Sequence, residues 1–263
     1  MSNNKRTING KQRSYGWKKS PTPATDHHIF NITLHNKTVS EVDLRPFCPP
    51  VYDQGELGSC TANAISAAYE IDEIKEKEKS VFQPSRLFIY YNERDMEGTV
   101  SEDAGAMIHD GIKVVNTIGV CPETDWPYDT AQFAVKPPAN CYQEAQNHKS
   151  KEYRPIQQNL AQLKQCLING LPFVFGAQIY ESFESDSTME TGMVPLPAPT
   201  EQCLGGHALC CVGASDSKQC FLVRNSWGSS VYPEHGYFYL PYKYMCDPNL
   251  ASDFWVIAST IDK

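Results

Sequence analysis

The amino-acid sequence predicts an α+β chain: a helical N-terminal half, a C-terminal half of antiparallel strands in a barrel-like arrangement, and a cleft between them. Two observations carry this. Up to Gly170 the apolar residues recur at the spacing of helical faces, whereas from Pro172 onward they come in short runs bounded by Gly, Pro, Asn or Asp. A chain of 263 residues, 41% hydrophobic and 21% charged, can also bury a large core, as one domain or as two halves that share one. The expected boundaries are an N-terminal extension over 1–40 and a domain over 41–263, helical over about 48–150 and mainly β over about 151–263.

Residues 1–40 are polar, contain Pro21 and Pro23 and show no sustained period, so they read as an extension and not as a domain. The Pro-rich FCPPV at 47–51 closes it. The first helix is expected to begin at or beside Ser59 and Cys60. Its apolar side is Ala64, Ala67, Ile71 and Ile74, and it dissolves into EIKEKEK, a solvated face. A second helix has Ile108, Ile112, Val115 and Ile118 on one side and stops at Gly119, a natural C-terminal cap. A third groups Leu160, Leu163 and Leu167 before Gly170 and Pro172 end it. Strands are expected at 173–179, 208–214, 220–224, 236–240 and 254–258.

Composition excludes several function classes. A net charge of −8 and a pI near 5.4 argue against nucleic acid as a partner, because a phosphate-binding surface needs surplus Lys and Arg. The opening MSNNKRTINGKQRSYGWKKS has cationic residues but no apolar run behind them, so it does not read as a secretory signal. Nowhere is there the stretch of about 20 apolar residues that a membrane-spanning helix needs, and no membrane partner is expected. The ten cysteines (48, 60, 121, 141, 166, 203, 210, 211, 220 and 246) are too irregular for a disulfide framework, and the missing signal favours reduced thiols. The glycosylation-type triplets at Asn31 and Asn36 mean little without secretion.

One constellation carries chemistry. A thiol attacks as thiolate, and the start of a helix, where Cys60 sits, favours that anion through its backbone N–H groups and dipole. Acyl transfer also needs donors aimed at the oxygen that becomes negative. Gln54, six residues upstream in QGELGSC, offers a side-chain amide, the Cys60 backbone N–H a second donor, and Gly55 and Gly58 let the loop turn tightly. His207, in GGHALCCVG at the entrance to an expected strand, can pair with the thiolate and protonate a leaving amine. Asn225, in FLVRNSWG at the end of the next strand, can fix the imidazole tautomer without adding charge. Trp227 can shield that hydrogen bond from water.

Cys, His and Asn in this order, a Gln six before the Cys and NSWG around the Asn resemble the papain and cathepsin family of cysteine peptidases. The intervals are 147 residues from Cys60 to His207 and 18 more to Asn225, and the likeness covers roughly 42–260. It implies a papain-like fold and a thiol endopeptidase that cleaves polypeptides through a thioester acyl-enzyme, without cofactor or metal, and open to protein inhibitors of such proteases. It also implies that Gly105, in EDAGAM, pairs with the substrate backbone and that PFVFGAQ at 172–178 and Gly206 line the second specificity subsite. Gly58, Gly105, Gly176, Gly206 and Trp227 are thus the expected substrate contacts. With glycine at 176 and 206 the pocket should be roomy and unspecific, with no acidic residue assigned to its base. Two departures stand out: Leu57 replaces a family cysteine, which removes a family disulfide, and Thr61 replaces the aromatic after the nucleophile. The long inhibitory pro-region of animal and plant members is missing, and only the extension over 1–40 can play that part, crossing the cleft as a short inhibitory segment. LGSCTANA is closer to bacterial and large-DNA-virus members. The sequence does not fix a location, and the lack of a signal peptide or membrane span favours a cytoplasmic or virion-associated one.

An isolated cysteine is usually a buried thiol, and it is the agreement of four residues that reverses this for Cys60. Cys203, His207, Cys210 and Cys211 could bind zinc, but Cys210 and Cys211 are sequential in a strand and point to opposite faces, so buried thiols are preferred. His27, His28, His109, His148 and His235 show no partner pattern. A thiol amidohydrolase or acyltransferase shares the Cys–His pair but not NSWG and the upstream Gln, and a catalytically silent peptide-binding module would not need all four positions.

Overall fold

The computed structural model of the protein describes residues 6–8, 10–21, 39–76 and 81–258. Pro23, His27, His28, Asn31, Asn36 and the Lys77–Lys79 end of the charged run lie outside them. In chain order the elements are β1 (Arg6–Ile8), β2 (Lys11–Arg13), β3 (Glu41–Asp43), α1 (Cys60–Glu76), α2 (Arg86–Glu97), α3 (Ile108–Thr117), α4 (Ala139–Ala145), β4 (Glu152–Pro155), α5 (Leu160–Ile168), β5 (Phe173–Tyr180), α6 (Asp186–Thr191), β6 (Cys203–Ser215), β7 (Cys220–Arg224), β8 (Tyr237–Pro241), α7 (Tyr242–Cys246) and β9 (Ala251–Ala258).

The helix that starts at Cys60 is the axle of the fold. It packs on β5, β6 and β9 from one side and on α2 and α3 from the other, so it is buried all round from Cys60 to Glu73. The single apolar face expected from Ala64, Ala67, Ile71 and Ile74 is therefore corrected. Small residues such as Ala62, Ala64, Ala67 and Ala68 let neighbours close on every side, while the polar ones are satisfied inside: Thr61 Oγ1 donates to Glu93 at 2.5 Å, Asn63 Nδ2 to the Ser59 carbonyl at 2.9 Å, and the Tyr52 hydroxyl to Glu70.

The second and third expected helices stand as α3, which ends before Gly119 at φ +91, and α5, capped by the Asn159 side chain; Leu163 and Leu167 are buried, but Leu160 is exposed. The sequence reading missed α2. Its aromatic run Phe88, Tyr90 and Tyr91 resembles a strand, yet Ser85 caps its N-terminus, accepting from Phe88 N–H, and Gly98 its C-terminus at φ +70.

The expected strands form one antiparallel sheet of seven, in the order β4-β9-β5-β6-β7-β8 with β3 added to β6. Among the described residues this path stays open, with β4 and β8 at its ends, so the barrel-like half is a curved sheet and not a closed barrel. Strand β6 is longer than expected. It begins at Cys203, so His207 lies within a paired strand, opposite Ala177, and not at its entrance. Gly205 and Gly206 hide this in the sequence, since glycine weakens strand propensity and marks places where another backbone comes close.

Candidate functional site

Two halves of the molecule meet at Cys60. From the helical side, the loop before α1 is held by backbone and side chain together. Asp103 Oδ1 accepts the Gly58 N–H at 2.9 Å and the Tyr90 hydroxyl at 2.5 Å, while the Tyr128 hydroxyl bonds Ser59 Oγ at 2.5 Å and the Gln54 carbonyl at 2.9 Å. Gln54 itself is wholly buried. Ser226 Oγ donates to its Oε1 at 2.6 Å, which turns Nε2 towards the cleft as a donor. Asp103, Tyr128 and Ser226 escaped the sequence reading because their partners lie 45, 69 and 172 residues away.

From the β side come His207 and Asn225. His207 Nε2 and Asn225 Oδ1 are 2.8 Å apart, and the same oxygen accepts the Ser226 N–H at 2.8 Å, while Asn225 Nδ2 faces the Tyr232 hydroxyl at 3.3 Å. An oxygen that accepts twice makes Nε2 the protonated ring nitrogen and leaves Nδ1 with its lone pair. Nδ1 is buried and takes no hydrogen bond among the described residues. Trp227 stacks on the ring, centroids 5.3 Å apart. The Ala208 N–H, one residue along β6, points at Cys60 Sγ from 3.4 Å, so sulfur and imidazole share one pocket. The sequence-predicted Cys60, His207, Asn225 and Gln54 are thus brought together.

The cleft is filled by the chain's own N-terminal segment. Arg13 pairs with Asp53 at 2.6 Å and donates to the Trp227 carbonyl at 3.1 Å. The Ser14 carbonyl accepts from Gln54 Nε2 at 3.2 Å. Tyr15 stands edge-on to His207, 5.5 Å between centroids, with its hydroxyl on Glu184. Gly16 crosses Gly58 so closely that a Cβ on it would fall inside the Gly58 carbonyl, and its backbone N–H faces the Cys60 sulfur. Trp17 then sinks against Gly176 and Gly206, its N–H bonded to the Gly206 carbonyl at 2.9 Å. Lys18 N–H reaches the Ala106 carbonyl at 2.9 Å and Ala106 N–H the Gly16 carbonyl at 2.8 Å, a parallel pairing in which Ala106, with Gly105 beside it, carries the bonds. Lys18 Nζ closes the set on Glu97 at 2.9 Å. Of the expected substrate contacts, Gly58, Gly105, Gly176, Gly206 and Trp227 all lie against this segment.

Covered in this way, the site disfavours charge on both groups. Burial pushes the Cys60 thiol up to about 11, against the N–H groups of Ala208, Gly16 and Thr61, with Glu93 adding to the rise. Burial likewise lowers His207 to about 4, opposed by its bond to Asn225 and aided by nearby Arg13.

The other histidines and cysteines stay apart. His148 pairs with Glu144 at 2.9 Å and His109 stacks on Trp255 at 5.1 Å. All ten cysteines are free thiols, Cys210 and Cys211 buried and Cys203 exposed, and among the described residues no three His, Cys, Asp or Glu side chains converge on a metal position. Among the described residues no helix is long and apolar enough to cross a membrane.

Comparison with known proteins agrees with the geometry. The sequence pattern described as "Papain family cysteine protease" matches residues 38–253. A peptidase C1-like protein of Acanthamoeba polyphaga mimivirus is 49% identical over 218 residues, 80% of this chain and 70% of that one. The crystal structure of xylellain, a cysteine protease from Xylella fastidiosa, superposes with a TM-score of 0.86 at 41% identity, covering 97% of this chain and 98% of the other. A Carica candamarcensis cysteine protease solved with E-64 shares the fold at a TM-score of 0.63 and 20% identity, over 84% of this chain and 99% of its own. This chain belongs to the papain family of cysteine proteases, and its substrates are polypeptides.

Proposed function

We propose that this protein is a latent thiol endopeptidase with Cys60 as nucleophile, His207 as acid and base, Asn225 as orienter and Gln54 in the oxyanion hole, and that residues 10–21 keep the cleft closed. The observation that carries the assignment is the pinned imidazole: Asn225 accepts from Nε2 at 2.8 Å, so the bare Nδ1 is the nitrogen available to the thiol.

With the segment gone, water returns and the thiol proton passes to Nδ1, giving thiolate and imidazolium. The sulfur adds to the scissile carbonyl carbon, and the oxyanion takes hydrogen bonds from Gln54 Nε2 and the Cys60 N–H at the start of α1. His207 returns its proton to the departing amine as the C–N bond breaks, leaving a thioester. Water, losing a proton to the same nitrogen, then releases the acid and restores the thiol. Trp227 and Tyr232 keep bulk water off the His–Asn bond.

The segment is suited to block this and to survive it. The Ser14 carbonyl uses the Gln54 donor that the oxyanion requires, and the Gly16 N–H faces the sulfur, so a backbone donor and not a carbonyl carbon meets the nucleophile. Inhibitors of papain-like proteases would compete for the same cleft. The charge of −8 gives nucleic acid no electrostatic hold, and ten free thiols suit a reducing compartment, cytoplasmic or within a virion.

The test is a pair of full-length variants. Cys60→Ala abolishes peptide hydrolysis, and an epoxysuccinyl inhibitor, read by mass, labels Cys60 and no other cysteine once Gly16→Val has displaced the segment. Hydrolysis that survives Cys60→Ala would overturn the assignment.

A further inference from the structure

Tyr232 stands where glycine is expected. Between β7 and β8, Gly228, Tyr232, His235 and Gly236 all have left-handed backbones, at φ +80, +62, +55 and +93. That region costs glycine nothing, whereas a bulky residue is held there only against strain.

The turn is built around Asn225. It closes on itself through the Gly236 N–H, which donates to the Val231 carbonyl at 2.7 Å, and the His235 N–H, which donates to the Tyr232 carbonyl at 3.2 Å; the Gly236 carbonyl in turn accepts the Asn225 N–H at 3.1 Å. The Tyr232 ring packs on Phe238, centroids 5.4 Å apart, and its hydroxyl accepts from Asn225 Nδ2 at 3.3 Å. One turn thus holds both the backbone and the side chain of Asn225. Asn225 is 3% exposed and Tyr232 7%, so bulk water has no access to replace the hydroxyl. Strain kept beside a reactive site points to a use, and packing on Phe238 alone would need no hydroxyl.

We propose that Tyr232 is a positioning residue for His207: its hydroxyl anchors Asn225 Nδ2, which keeps Oδ1 on the ring's Nε2–H and strengthens that oxygen as an acceptor once the ring carries a second proton. This rests on the reading of His207 as acid and base, which His207→Ala tests by itself. Oδ1 accepts from Nε2 and from the Ser226 N–H, each at 2.8 Å. A carboxamide turned over would set its NH2 against both donors. The ring could then keep its bond only by moving its proton to Nδ1, the nitrogen that must take the thiol proton. A hydrogen bond from Nδ2 also polarises the amide towards Oδ1, so the long contact in the covered chain should tighten as positive charge forms on the ring. Tyr232 itself does not titrate. Burial pushes its phenol up, against the bond from Asn225, with Glu184 adding to the rise and Arg13 opposing. The titratable groups that face the ring and the phenol are Cys60 at the start of α1, Glu184 after β5, which takes the Tyr15 hydroxyl, and Arg13 and Tyr15 of the segment.

Tyr232→Phe keeps the ring and the backbone angle and removes one oxygen, so it should melt near the parent. In full-length chain opened by Gly16→Val it should lower kcat about five- to thirtyfold with KM unchanged. A weaker acceptor on Nε2–H holds the imidazolium proton less well, so the alkaline limb of kcat/KM should move down by about half a pH unit to one unit. In Asn225→Ala on the same background, Tyr232→Phe should do neither. Equal losses with and without Asn225, or an alkaline limb left in place, would overturn the proposal. If Gly16→Val leaves hydrolysis at the level of the parent chain, the latency reading fails, and Tyr232 is then decided in the covered chain by ring-nitrogen NMR of His207. The parent should show the Nε2–H tautomer alone and Tyr232→Phe should admit the Nδ1–H tautomer. A variant with the Nε2–H tautomer alone removes Tyr232 as the anchor and with it the proposal.

Discussion

His207 and Asn225 stand on β6 and just past β7, strands whose residues are almost entirely buried, whereas the segment from Arg13 to Ser20 is fastened by side chains with polar tips: Arg13 on Asp53, Tyr15 on Glu184, Trp17 on Asp253 and Lys18 on Glu97. The first region is held by apolar packing with Phe173, Phe221 and Phe238, which carries no charge to titrate or screen. The second buries Trp17 and part of Tyr15 in the same core and adds ion pairs and hydrogen bonds, individually weak in water and screened within a Debye length of about 8 Å at physiological salt. On the proposed reading, the polar fastenings let the cover leave while the packed half stays folded.

The largest effect lies in the packed region. Cys60→Ala should reduce hydrolysis of any peptide by at least about 10⁴-fold, measured by single-turnover assay, while the melting temperature hardly moves. Next comes Gly16→Val, a change confined to the cover. Its side chain cannot fit beside the Gly58 carbonyl, and an overpacked contact of this sort costs about 1–3 kcal/mol, so hydrolysis by the full-length chain should rise about five- to 150-fold. Ultraviolet thiolate absorbance, taken as the difference from Cys60→Ser, supplies the pH signature. In the parent chain, where burial holds the thiol at about 11 and the imidazole at about 4, Cys60 should carry no thiolate at neutral pH; in Gly16→Val it should. Thiolate at neutral pH in the parent chain would mean that the cover does not set the charge state.

The same contrast explains what was legible in the sequence. The four proposed catalytic positions could be read because each sits in a short local context, QGELGSC, GGHALCC or RNSWG, where neighbouring residues set the backbone. The cover could be expected only in outline. Arg13, Tyr15, Trp17 and Lys18 meet partners 40, 169, 236 and 79 residues away, and nothing in GKQRSYGWKKS announces them. Asp253 was invisible for another reason: a strand pattern assigns alternate residues to alternate faces, and a bulge breaks that rule. The helix at Arg86–Glu97 was hidden by its aromatic run, although both of its caps stand in the sequence.

Smaller effects should grade the grip of the cover. Arg13 is 1% exposed and Asp53 31%, so Arg13→Ala removes a half-shielded pair and the bond to the Trp227 carbonyl. A loss of about 1–2 kcal/mol, roughly five- to thirtyfold in the open fraction, is expected. Lys18→Ala breaks a pair whose lysine is 36% exposed, for which about 0.2–1 kcal/mol, at most about fivefold, is the expected range. Activity of the parent chain should climb with salt, and that slope should flatten in Arg13→Ala. A salt response unchanged in both variants would relocate the hold to apolar contacts of Tyr15 and Trp17.

The smallest effect belongs to the packed region again and probes whether it depends on charge at all. Glu93 is fully buried beneath α1, where Thr61 donates to it, and burial raises its pKa well above the ordinary 4.5, with Glu97 and Asp110 adding to the rise and Thr61 and Arg94 opposing. A carboxyl whose folded pKa is raised stabilises the fold most below 4.5, and that contribution is lost as pH climbs through the folded value. Glutamine mimics the protonated acid and does not titrate. Glu93→Gln should therefore melt within about 1 kcal/mol of the parent at acid pH and gain on it as pH rises, read by thermal melting across pH. The opposite trend, a variant that falls behind the parent as pH rises, would show a charged Glu93 supporting the nucleophile helix. The packed half would then share the ionic dependence that distinguishes the cover.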